Sequence, residues 1–597
     1  MYLHGDCSNR GMKRLLARPK AIAGIFALLM TLAFVACEQS DASSAATQAT
    51  AVAGVIATIE AQPTSPPVVQ TVIVVASPGP TATPIVVMVV ATPEPTAIPA
   101  ATATPAPTAT PRVITIIATP EPTATSVPVP APQVLDTSAS VREDNSLIVN
   151  VDITLDRAAR VLVEYSNADA GTFRTAVTEV SSKDHVVPVV RLRAETTYSY
   201  TAIAVDSDGQ ESPGAVGTFV TGGLPDQLAA FTITATGKPT SELLLMDVRD
   251  NTATFLVIMD DDANIVWYHQ TPNVVEGVGI SMNAIKQKRN YNFVFYAGSP
   301  RTPCCLREIT PLGEQVDELV YSSANLTPHH DFLILSDDEV MYLADVPTVV
   351  DDSPNGGAVD QAVVADSIRI WDQRTGQTRE VWNSLDFWDP SDINEREQFT
   401  GNPVRWMHIN SITLGPRGNY ILSARNRNQI ISLSKDFQTI EWQIGLGNEG
   451  SPRSDFEFPD PEDRFYRSHT ASQLTNGNLL IFDNGATRPE EEGGQYSRAL
   501  ELEIDDYDMI AVKVWEYRHD PDVYARNISS ASRLENQNTL INFGNRDDIT
   551  SQPTVAVEVT KDGTEVWHLE MVSETSKGRF RVYAQGTIMG EVKLASQ

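Results

Sequence analysis

The sequence predicts an all-β protein: a six-bladed β-propeller preceded by a small β-sandwich and a disordered Pro/Thr-rich stalk. Three observations support this prediction. A turn-and-strand element that often carries tryptophan recurs six times in the C-terminal region, a stretch of period-2 alternation precedes it, and a proline-rich segment comes before both. With 597 residues, of which 42% are apolar, the chain can bury several cores, so we expect more than one domain.

The charge balance argues against nucleic acid as a partner. Acidic residues outnumber basic ones by 76 to 44, and the formal net charge is −32. No Lys/Arg-rich patch interleaved with aromatic residues is visible in the sequence. A phosphate backbone would therefore be repelled by most of the surface.

Residues 1–37 have the layout of an export signal. The apolar run "AIAGIFALLMTLAFVA" ends at Cys37 and follows five basic residues: Arg10, Lys13, Arg14, Arg18 and Lys20. The ending "FVAC" resembles a bacterial lipoprotein cleavage box, which implies lipidation of Cys37; an uncleaved anchor or an ordinary signal peptide are the alternatives. We expect an extracytoplasmic protein, membrane-anchored at the cell surface or in the periplasm.

The remaining cysteines give little information. Cys304 and Cys305 are adjacent and could form a strained disulfide, or they could be two small apolar residues at the end of a loop. No CxxC pair or His/Cys cluster indicates zinc, so no metal is predicted. The acidic stretch "PDPED" at 459–463 could bind calcium, but a solvated loop is the favoured interpretation.

Residues 38–134 are rich in Ala, Thr and Pro, as in "TPEPTAIPAATATPAPTATP". Prolines every few residues remove backbone donors and favour extended conformations, so this linker is predicted to be a disordered stalk. Residues 135–221 alternate with period 2 between polar turns, as in "RVLVEYS" and "TYSYTAIAVDSDG", which predicts a β-sandwich. The sandwich resembles a fibronectin type III module, with Leu192, Thr196 and Tyr198 at the spacing of its tyrosine corner and Ala194 in place of the usual proline. Its expected role is that of a spacer.

Residues 222–597 contain the repeat that predicts the propeller. Its six copies are "DDANIVWYHQ", "LGEQVDELVY", "TGQTREVWNS", "DFQTIEWQIG", "DYDMIAVKVWEY" and "KDGTEVWHLE". From Trp267 to Trp567 the chain runs 300 residues over five intervals, or 60 per unit, which is enough for a four-stranded blade. A large sandwich or a solenoid is the alternative. His269, His519 and His568 lie in or beside these copies and are predicted to be structural.

A second repeated element, a strand–turn–strand unit, lies between these copies. Three of its copies begin with a histidine: His330, His408 and His469. Because blades repeat around one axis, these histidines should converge at one mouth of the central channel. The alternative is that each histidine is only a polar residue at the end of a strand.

Residues equidistant from a hairpin turn face each other. This symmetry predicts pairing of His408 with Arg425, of His469 with Asn484, and of His330 with Asp345. Imidazoles beside a guanidinium are fixed donors suited to a small tetrahedral anion. Since the chain as a whole is strongly acidic, such a local positive pocket indicates a function.

The combination of "HHDFLIL", "MHINSITL…ILSAR", "SHTASQLTNGNLLIFDNG", "YSRALELEID" and "NTLINFG" resembles the bacterial arylsulfotransferase family over most of 222–597. The resemblance implies a six-bladed propeller that moves a sulfuryl group from an aryl sulfate to a phenol outside the cytoplasm, without a cofactor or a nucleotide donor. The expected partners are these small molecules and the membrane, with a homodimer left open.

Carried over by residue, the resemblance implies that His469 is the nucleophile that forms a sulfohistidine. His408 and Arg425 would hold the sulfuryl oxygens, with Asn410 beside them. A histidine of the 329/330 pair would be a further contact to the sulfuryl oxygens or would protonate the leaving phenolate. His330 fits this role better than His329, because it occupies the same position in the repeat as His408 and His469. Asn484 and His329 are further candidates for substrate binding. Thr470 stands where the family tends to have an acidic residue, so the partner that orients His469 is not evident.

Two other classes of function remain open. One is a non-catalytic cell-surface binding propeller, in which the histidines line a polar channel. The other is a different propeller enzyme, such as a quinoprotein-like oxidase. That enzyme would need a metal and a large planar cofactor, and the sequence shows neither a carboxylate set at the channel nor a tryptophan docking repeat.

Overall fold

The structure is a computed structural model. It describes residues 130–249, 253–271, 281–299, 302–320, 322, 326–355, 357–390, 403–445, 454–544, 554–573 and 581–595. The predicted export signal, Cys37 and nearly all of the predicted stalk lie outside the described residues. All described residues belong to one compact unit, Thr123–Gln597. Within them, no helix is both long and apolar enough to cross a membrane.

The N-terminal part of this unit is a two-layer sandwich of antiparallel strands. Its strands are β1 Val134–Val141, β2 Val149–Asn167, β3 Gly171–Arg174, β4 Ser182–Val189, β5 Thr197–Val205 and β6 Glu211–Val220. The long strand β2 belongs to both layers, since its first half pairs with β1 and β4 and its second half with β3 and β5. The Tyr198 hydroxyl accepts a hydrogen bond from the Arg193 amide at 3.0 Å, a contact typical of a tyrosine corner. The fibronectin type III assignment itself stays a prediction.

Six sheets follow a one-turn helix, α1 Asp226–Ala229, and strand β7 Thr232–Gly237, and their strands are antiparallel apart from one short parallel strand in blade 3. Blade 1 contains β8 Leu243–Arg249, β9 Thr254–Asp260 and β10 Ile265–Thr271. Blade 2 contains β11 Ser281–Gln287, β12 Phe293–Ser299, β13 Thr302–Ile309 and β14 Gln315–Val320. Blade 3 contains β15 Thr327–Ile334, β16 Glu339–Val350, β17 Gln361–Asp372, β18 Gln377–Asn383 and β19 Val404–Arg405. Blade 4 contains β20 Ile409–Leu414, β21 Tyr420–Ala424, β22 Gln429–Leu433 and β23 Ile440–Gly445. Blade 5 contains β24 His469–Gln473, β25 Leu479–Asp483, β26 Arg498–Asp505 and β27 Ile510–Tyr517. Blade 6 contains β28 Ser530–Arg533, β29 Thr539–Phe543, β30 Thr554–Val559 and β31 Glu565–Val572. The last two strands are β32 Val582–Gln585 and β33 Val592–Lys593.

Strands from both ends of the propeller sequence close the ring. The late strand β32 pairs with β8 and becomes the innermost strand of blade 1. The early strand β7 pairs with β31 and becomes an extra outer strand of blade 6. A closed ring covers most strand edges, which would otherwise offer unpaired backbone groups to other chains. The predicted six-bladed propeller is confirmed.

The sequence repeat corresponds to one strand position in every blade. Its six copies contain β10, β14, β18, β23, β27 and β31, each of which is the fourth strand from the channel. The tryptophans of four copies are at most 3% exposed: Trp267, Trp382, Trp442 and Trp567. A large aromatic residue at this position fills the wide outer gap between neighbouring blades, which explains why tryptophan recurs there.

The sandwich is packed on the propeller rather than held apart from it. Ile148 and Val190 of the sandwich share an apolar core with Trp267 and Ile588 of the propeller. Strand β33, which follows the blade 1 strand β32 in the chain, pairs with β3 of the sandwich. The Arg193 guanidinium also forms ion pairs with the carboxylates of Asp260 and Asp262 in the hairpin of blade 1, at 2.7 Å each. The sandwich keeps an apolar core of its own, and a smaller apolar cluster crosses the domain boundary predicted near residue 221.

We expect residues 1–129 to be dispensable for folding and the sandwich to be required. A chain of 130–597 should keep the unfolding free energy of the full chain and move from the membrane fraction to the soluble fraction, because the proposed lipid site is removed. A chain of 222–597 should lose about 5 kcal/mol, since two or three buried aliphatic contacts at about 2 kcal/mol each are lost. Urea unfolding of both chains, with cell fractionation, measures this. Equal stability of the two truncated chains would contradict the shared core.

Candidate active site

Three inner strands carry the candidate site, and each contains a bulge at the end where its histidine lies. The pairing register shifts in β15 after His329, in β20 after Ile409 and in β24 after His469. At or beside these bulges, His330, His408 and Thr470 adopt positive φ angles of 53°, 55° and 49°. Non-glycine residues in this region cost on the order of 1 kcal/mol each and cluster at functional sites. The bulges turn the histidine side chains out of the sheet pattern.

The histidines from neighbouring blades meet at one place, as predicted. The rings of His330 and His408 lie edge to face with their centroids 4.5 Å apart. The Nδ1 atoms of His329 and His330 are 3.0 Å apart, so one of them donates a hydrogen bond to the other. His330 and His408 are partly exposed, whereas His329 and His469 are 6% and 2% exposed. His330 and His408 are therefore the two imidazoles of the cluster that keep some accessible surface.

The hydrogen bonds around His469 define which ring nitrogen carries its proton. The Asn484 amide group donates to the backbone carbonyls of Ala525 and Ile528, at 2.7 and 3.0 Å, so its Oδ1 must face the other way. That oxygen lies 2.7 Å from His469 Nδ1. Because an amide oxygen can only accept, Nδ1 carries the proton and Nε2 holds the lone pair. The Ile528 amide donates to Nε2 at 3.2 Å, which agrees with this tautomer.

Asn484 is thus the orienting partner of His469 that the sequence did not reveal. Asn484 is fully buried, and its side-chain amide contacts His469 and two backbone carbonyls. Thr470, at the position where the family tends to have an acid, accepts a hydrogen bond from the Ala531 amide at 3.1 Å and links β24 to β28. An amide at the Nδ1 side fixes the ring without adding a charge.

Arg425 lies at the start of a 3₁₀ turn directly after β21, opposite His408. Its amide donates to the His408 carbonyl at 3.2 Å, as the hairpin symmetry predicted. Its guanidinium donates to Asn426 Oδ1 at 3.1 Å and to the Arg526 carbonyl at 3.4 Å. Arg425 as a whole residue is partly exposed. It therefore brings a fixed positive charge to the histidine cluster.

All four histidines are held in the neutral form. Burial and the Arg425 guanidinium lower the pKa of His469 to about 3. Burial and Arg425 also hold the pKa of His408 well below its usual range, and burial with the neighbouring imidazoles does the same for His330. Burial lowers the pKa of His329. Near neutral pH each imidazole can therefore offer one lone pair and one N–H.

A pair of buried carboxyl groups supports His329 from behind. Its Nε2 lies 3.5 Å from Asp345 Oδ1 and 3.4 Å from Asp366 Oδ1. The Arg405 guanidinium binds both oxygens of Asp345, at 2.7 and 2.9 Å. Burial, with the charge of Asp345, raises the pKa of Asp366 to about 8, so this carboxyl carries a proton near neutral pH. Asp366 and Arg405 were not predicted as site residues, because nothing in their local sequence distinguishes them from other strand and loop residues.

Two of the three predicted hairpin pairings are wrong in register. Asp345 lies opposite Thr327, and its side chain contacts His329 rather than His330. His469 lies opposite Phe482, although its ring still reaches Asn484. In β15 and β24 the bulge adds to a one-residue offset at the turn, so every pairing beyond it is displaced. In β20 the bulge cancels the offset, because Leu414 pairs with Tyr420 before it and Ile409 with Ala424 beyond it. Counting from the turn gives the correct answer only for His408 and Arg425.

A buried ion cluster forms the floor of the site. The Asp331 carboxylate binds Lys286 at 3.0 Å and Arg581 at 2.9 Å, and it accepts the Ile412 amide at 3.1 Å. Arg581 also donates to the Asn410 carbonyl at 3.0 Å. Two cations and one anion leave this cluster with a net positive charge, and Arg581 contributes to the lowered pKa of His469. The histidines therefore lie in a positive region of an acidic protein.

Asn410 lies between the histidines and this floor. It is fully buried, and its side-chain amide donates to the Ser468 carbonyl at 2.8 Å. Among the described residues, its Oδ1 has no hydrogen-bond partner. A cavity of about 600 Å³ opens on the far side of the floor, lined by Thr470, Ser530 and the ion cluster but by none of the four histidines. The ion cluster therefore separates the histidine site from this cavity.

The fold and the site define a class: a six-bladed propeller with neutral histidines and an arginine gathered at the mouth of its channel. The chain belongs to the arylsulfotransferase (ASST) family, whose sequence profile matches residues 231–583. The family resemblance seen in the sequence is confirmed.

Two curated relatives carry the name arylsulfate sulfotransferase AssT. The protein of Escherichia coli is 27% identical over 183 residues, which cover 25% of this chain and 30% of the relative. The protein of Lelliottia amnigena is 22% identical over 233 residues, which cover 33% and 36%. The matches thus span about a third of each relative. Among solved structures, virginiamycin B lyase from Staphylococcus aureus is 9% identical, with a TM-score of 0.30 over 57% of this chain and 99% of its own.

Proposed function

We propose that the protein transfers a sulfuryl group from an aryl sulfate to a phenol through a sulfohistidine at Nε2 of His469. One observation carries this proposal: the Asn484 oxygen holds the proton on Nδ1, so the lone pair of the neutral ring is on Nε2, where it can attack once the hydrogen bond from the Ile528 amide breaks. A neutral imidazole is a competent nucleophile near neutral pH. The names and family of the relatives support sulfuryl transfer from an aryl sulfate in general.

The proposed reaction has two steps. In the first, Nε2 attacks the sulfur of the donor, the bond from sulfur to the aryl oxygen breaks, and the first phenol leaves with a proton. In the second, the oxygen of the acceptor phenol attacks the same sulfur and loses its proton, while the N–S bond breaks and its electron pair returns to Nε2. No nucleotide takes part in either step.

Donors are already in place for the oxygens of the transferring group. The Ile528 amide donates to Nε2 at 3.2 Å, so this hydrogen bond must break when sulfur approaches, and the released N–H can then donate to a sulfuryl oxygen. Arg425 and His408 lie on the exposed side of the cluster. Donors that are fixed before the reaction stabilise the transition state because they need not reorganise. The proposed roles of His408 and Arg425 are those that the family resemblance implies.

The proton for the leaving phenolate can come through His330. Protonated Asp366 lies 3.4 Å from His329 Nε2, and His329 Nδ1 lies 3.0 Å from His330 Nδ1. When His330 gives its Nε2 proton to the phenolate, its Nδ1 takes one from His329, which is reprotonated by Asp366. The acceptor step runs the same transfers in reverse. Both histidines of the 329/330 pair thus take part, with His330 in contact with the substrate.

We also propose that this chemistry takes place outside the cytoplasm, at a membrane surface, on the strength of the export signal and Cys37 in the sequence. The proline-rich segment 38–134 would then act as a stalk. A propeller mouth held away from the membrane can receive small phenols and aryl sulfates from the surrounding fluid.

A donor–acceptor assay tests the proposal. With a chromogenic aryl sulfate and added phenol, initial rates should give parallel lines in a double-reciprocal plot, as expected for a ping-pong reaction. With donor alone, one equivalent of the chromogenic phenol should be released in a burst. No turnover would favour a binding propeller, and turnover without a burst would indicate direct transfer between donor and acceptor.

A further inference from the structure

We propose a divalent transition-metal site, best suited to Zn²⁺, formed by His519, Glu565 and His568 between the outer strands of blades 5 and 6. His519 follows β27, and the other two residues lie on β31. One ligand atom from each of the three side chains lies within 4.8 Å of the others. This set is separate from the channel histidines; His519 and His568 were predicted to be structural because they lie in or beside the outer-strand repeat.

The geometry of the three side chains fits a metal. His568 Nδ1 is already 2.9 Å from Glu565 Oε1, and the rings of His519 and His568 have their centroids 5.5 Å apart. Zinc binds nitrogen and oxygen ligands at about 2.0–2.2 Å, so tetrahedral ligand atoms lie about 3.3 Å apart. Side-chain movements of about 1 Å close the set to that spacing, and two imidazoles with one carboxylate leave a fourth position for water.

His519 shows the protonation pattern of a metal ligand. Its Nδ1 lies 2.8 Å from the Pro521 carbonyl, which can only accept, so Nδ1 carries the proton and Nε2 holds the lone pair. Nε2 is buried and has no hydrogen-bond partner within the described part of the chain. Histidine ligands typically donate their second N–H to a backbone carbonyl in this way. A buried lone pair without a donor is costly unless a cation occupies it.

The other two ligands have supporting partners as well. The Tyr517 hydroxyl donates to Glu565 Oε2 at 2.9 Å, which leaves Oε1 for the metal. His568 Nε2 lies 3.4 Å from Glu570 Oε1, which can hold its N–H while Nδ1 binds the metal. The nearby cation Arg518 is engaged by both oxygens of Asp522. A surface ion pair would account for Glu565 and His568 alone, but it does not account for the tautomer of His519.

A bound metal would add a further link between two blades that already share the hydrogen bond from Tyr517 to Glu565. His519 belongs to blade 5, whereas Glu565 and His568 belong to blade 6, the blade that also receives the early strand β7. Cross-links between elements distant in sequence stabilise the folded state because the unfolded chain lacks the site. The proposed role is therefore structural.

Metal binding by the full-length chain tests the proposal. After chelation and desalting, the protein is incubated with Zn²⁺, desalted again and analysed by atomic emission. We expect one retained equivalent, a higher melting temperature with Zn²⁺, and no retention of Ca²⁺ or Mg²⁺, since imidazole favours transition metals. Co²⁺ in place of Zn²⁺ should give a visible absorption band that reports nitrogen ligands.

Variants separate this site from the channel histidines. His519→Gln and His568→Gln should each weaken Zn²⁺ binding by about 100-fold or more, and Tyr517→Phe by about 10–100-fold, the range for a supporting partner. The matched control is His469→Ala, which should still retain one equivalent. Both glutamine variants change partly exposed side chains, and their metal-free melting temperatures verify folding. Absence of retained Zn²⁺ in the wild type, or unchanged retention in both glutamine variants, would overturn the proposal.

Discussion

The His469→Ala variant is expected to lose the sulfuryl adduct completely and to lose turnover by about 10⁵–10⁶-fold, the order found when an enzymatic nucleophile is removed. The remaining histidines cannot replace it, because the Ile528 amide and the Asn484 oxygen are directed at the two ring nitrogens of this residue. Incubation with donor alone, followed by intact-protein mass spectrometry, should show one added sulfuryl group in the wild type and none in the variant.

The control for this experiment is His185→Ala, since His185 lies in the sandwich and its ring contacts the carbonyls of Ala159 and Ser182. This variant should form the adduct at the wild-type rate. Peptide mapping should place the wild-type adduct on His469. An adduct that persists in His469→Ala, or that maps to another residue, would show that the nucleophile has been misassigned.

The architecture was predictable from the sequence because blades repeat. In five of the six copies the outer strand carries a tryptophan that fills the gap between blades, in register with an acidic or glycine turn, and six copies give six blades. The closure of the ring was not predictable. Strands β7 and β32 are single strands without a hairpin of their own, and no local pattern shows which blade each one joins.

The candidate site was predictable only in part. His330, His408 and His469 share a phase in the repeat, and repetition around one axis brings them together. The bulges are not visible in the sequence, so Asp345 was assigned to His330 although it lies beside His329. Asp366 was missed because its unusual environment arises from packing against another blade, where it accepts the Ile409 amide at 3.0 Å.

The tautomer of His469 is a property of the site that cannot be predicted from the sequence. An asparagine fifteen residues away could present either its oxygen or its nitrogen to the ring. The orientation is decided by the carbonyls of Ala525 and Ile528, which belong to a loop of the next blade and together satisfy both amide hydrogens of Asn484. The proton position on His469 is thus determined by the contacts that Asn484 makes with residues about 40 positions further along the chain.

The second large effect is expected for Arg425→Ala, which should slow formation of the adduct by about 10²–10³-fold, the range for loss of one transition-state donor. The adduct should still form on His469, because the nucleophile and its orienting partner are unchanged. Arg425→Lys should recover part of the rate, since it restores the charge but not the planar fork. Rapid-quench measurement of the donor-only burst gives these rates.

The pH dependence of the burst separates a direct role of Arg425 from a structural one. The guanidinium is a main cause, after burial, of the lowered pKa of His469, which is about 3. Without this charge the pKa of His469 rises, so the protonated, non-nucleophilic ring persists to higher pH and the acid limb of the rate profile shifts upward. The matched control is Arg417→Ala, at the exposed turn of the same hairpin, where Arg417 pairs with Asp506 at 3.3 Å. An unchanged burst rate and acid limb in Arg425→Ala would contradict the proposed role, because the positive charge would then contribute nothing to the transferring group.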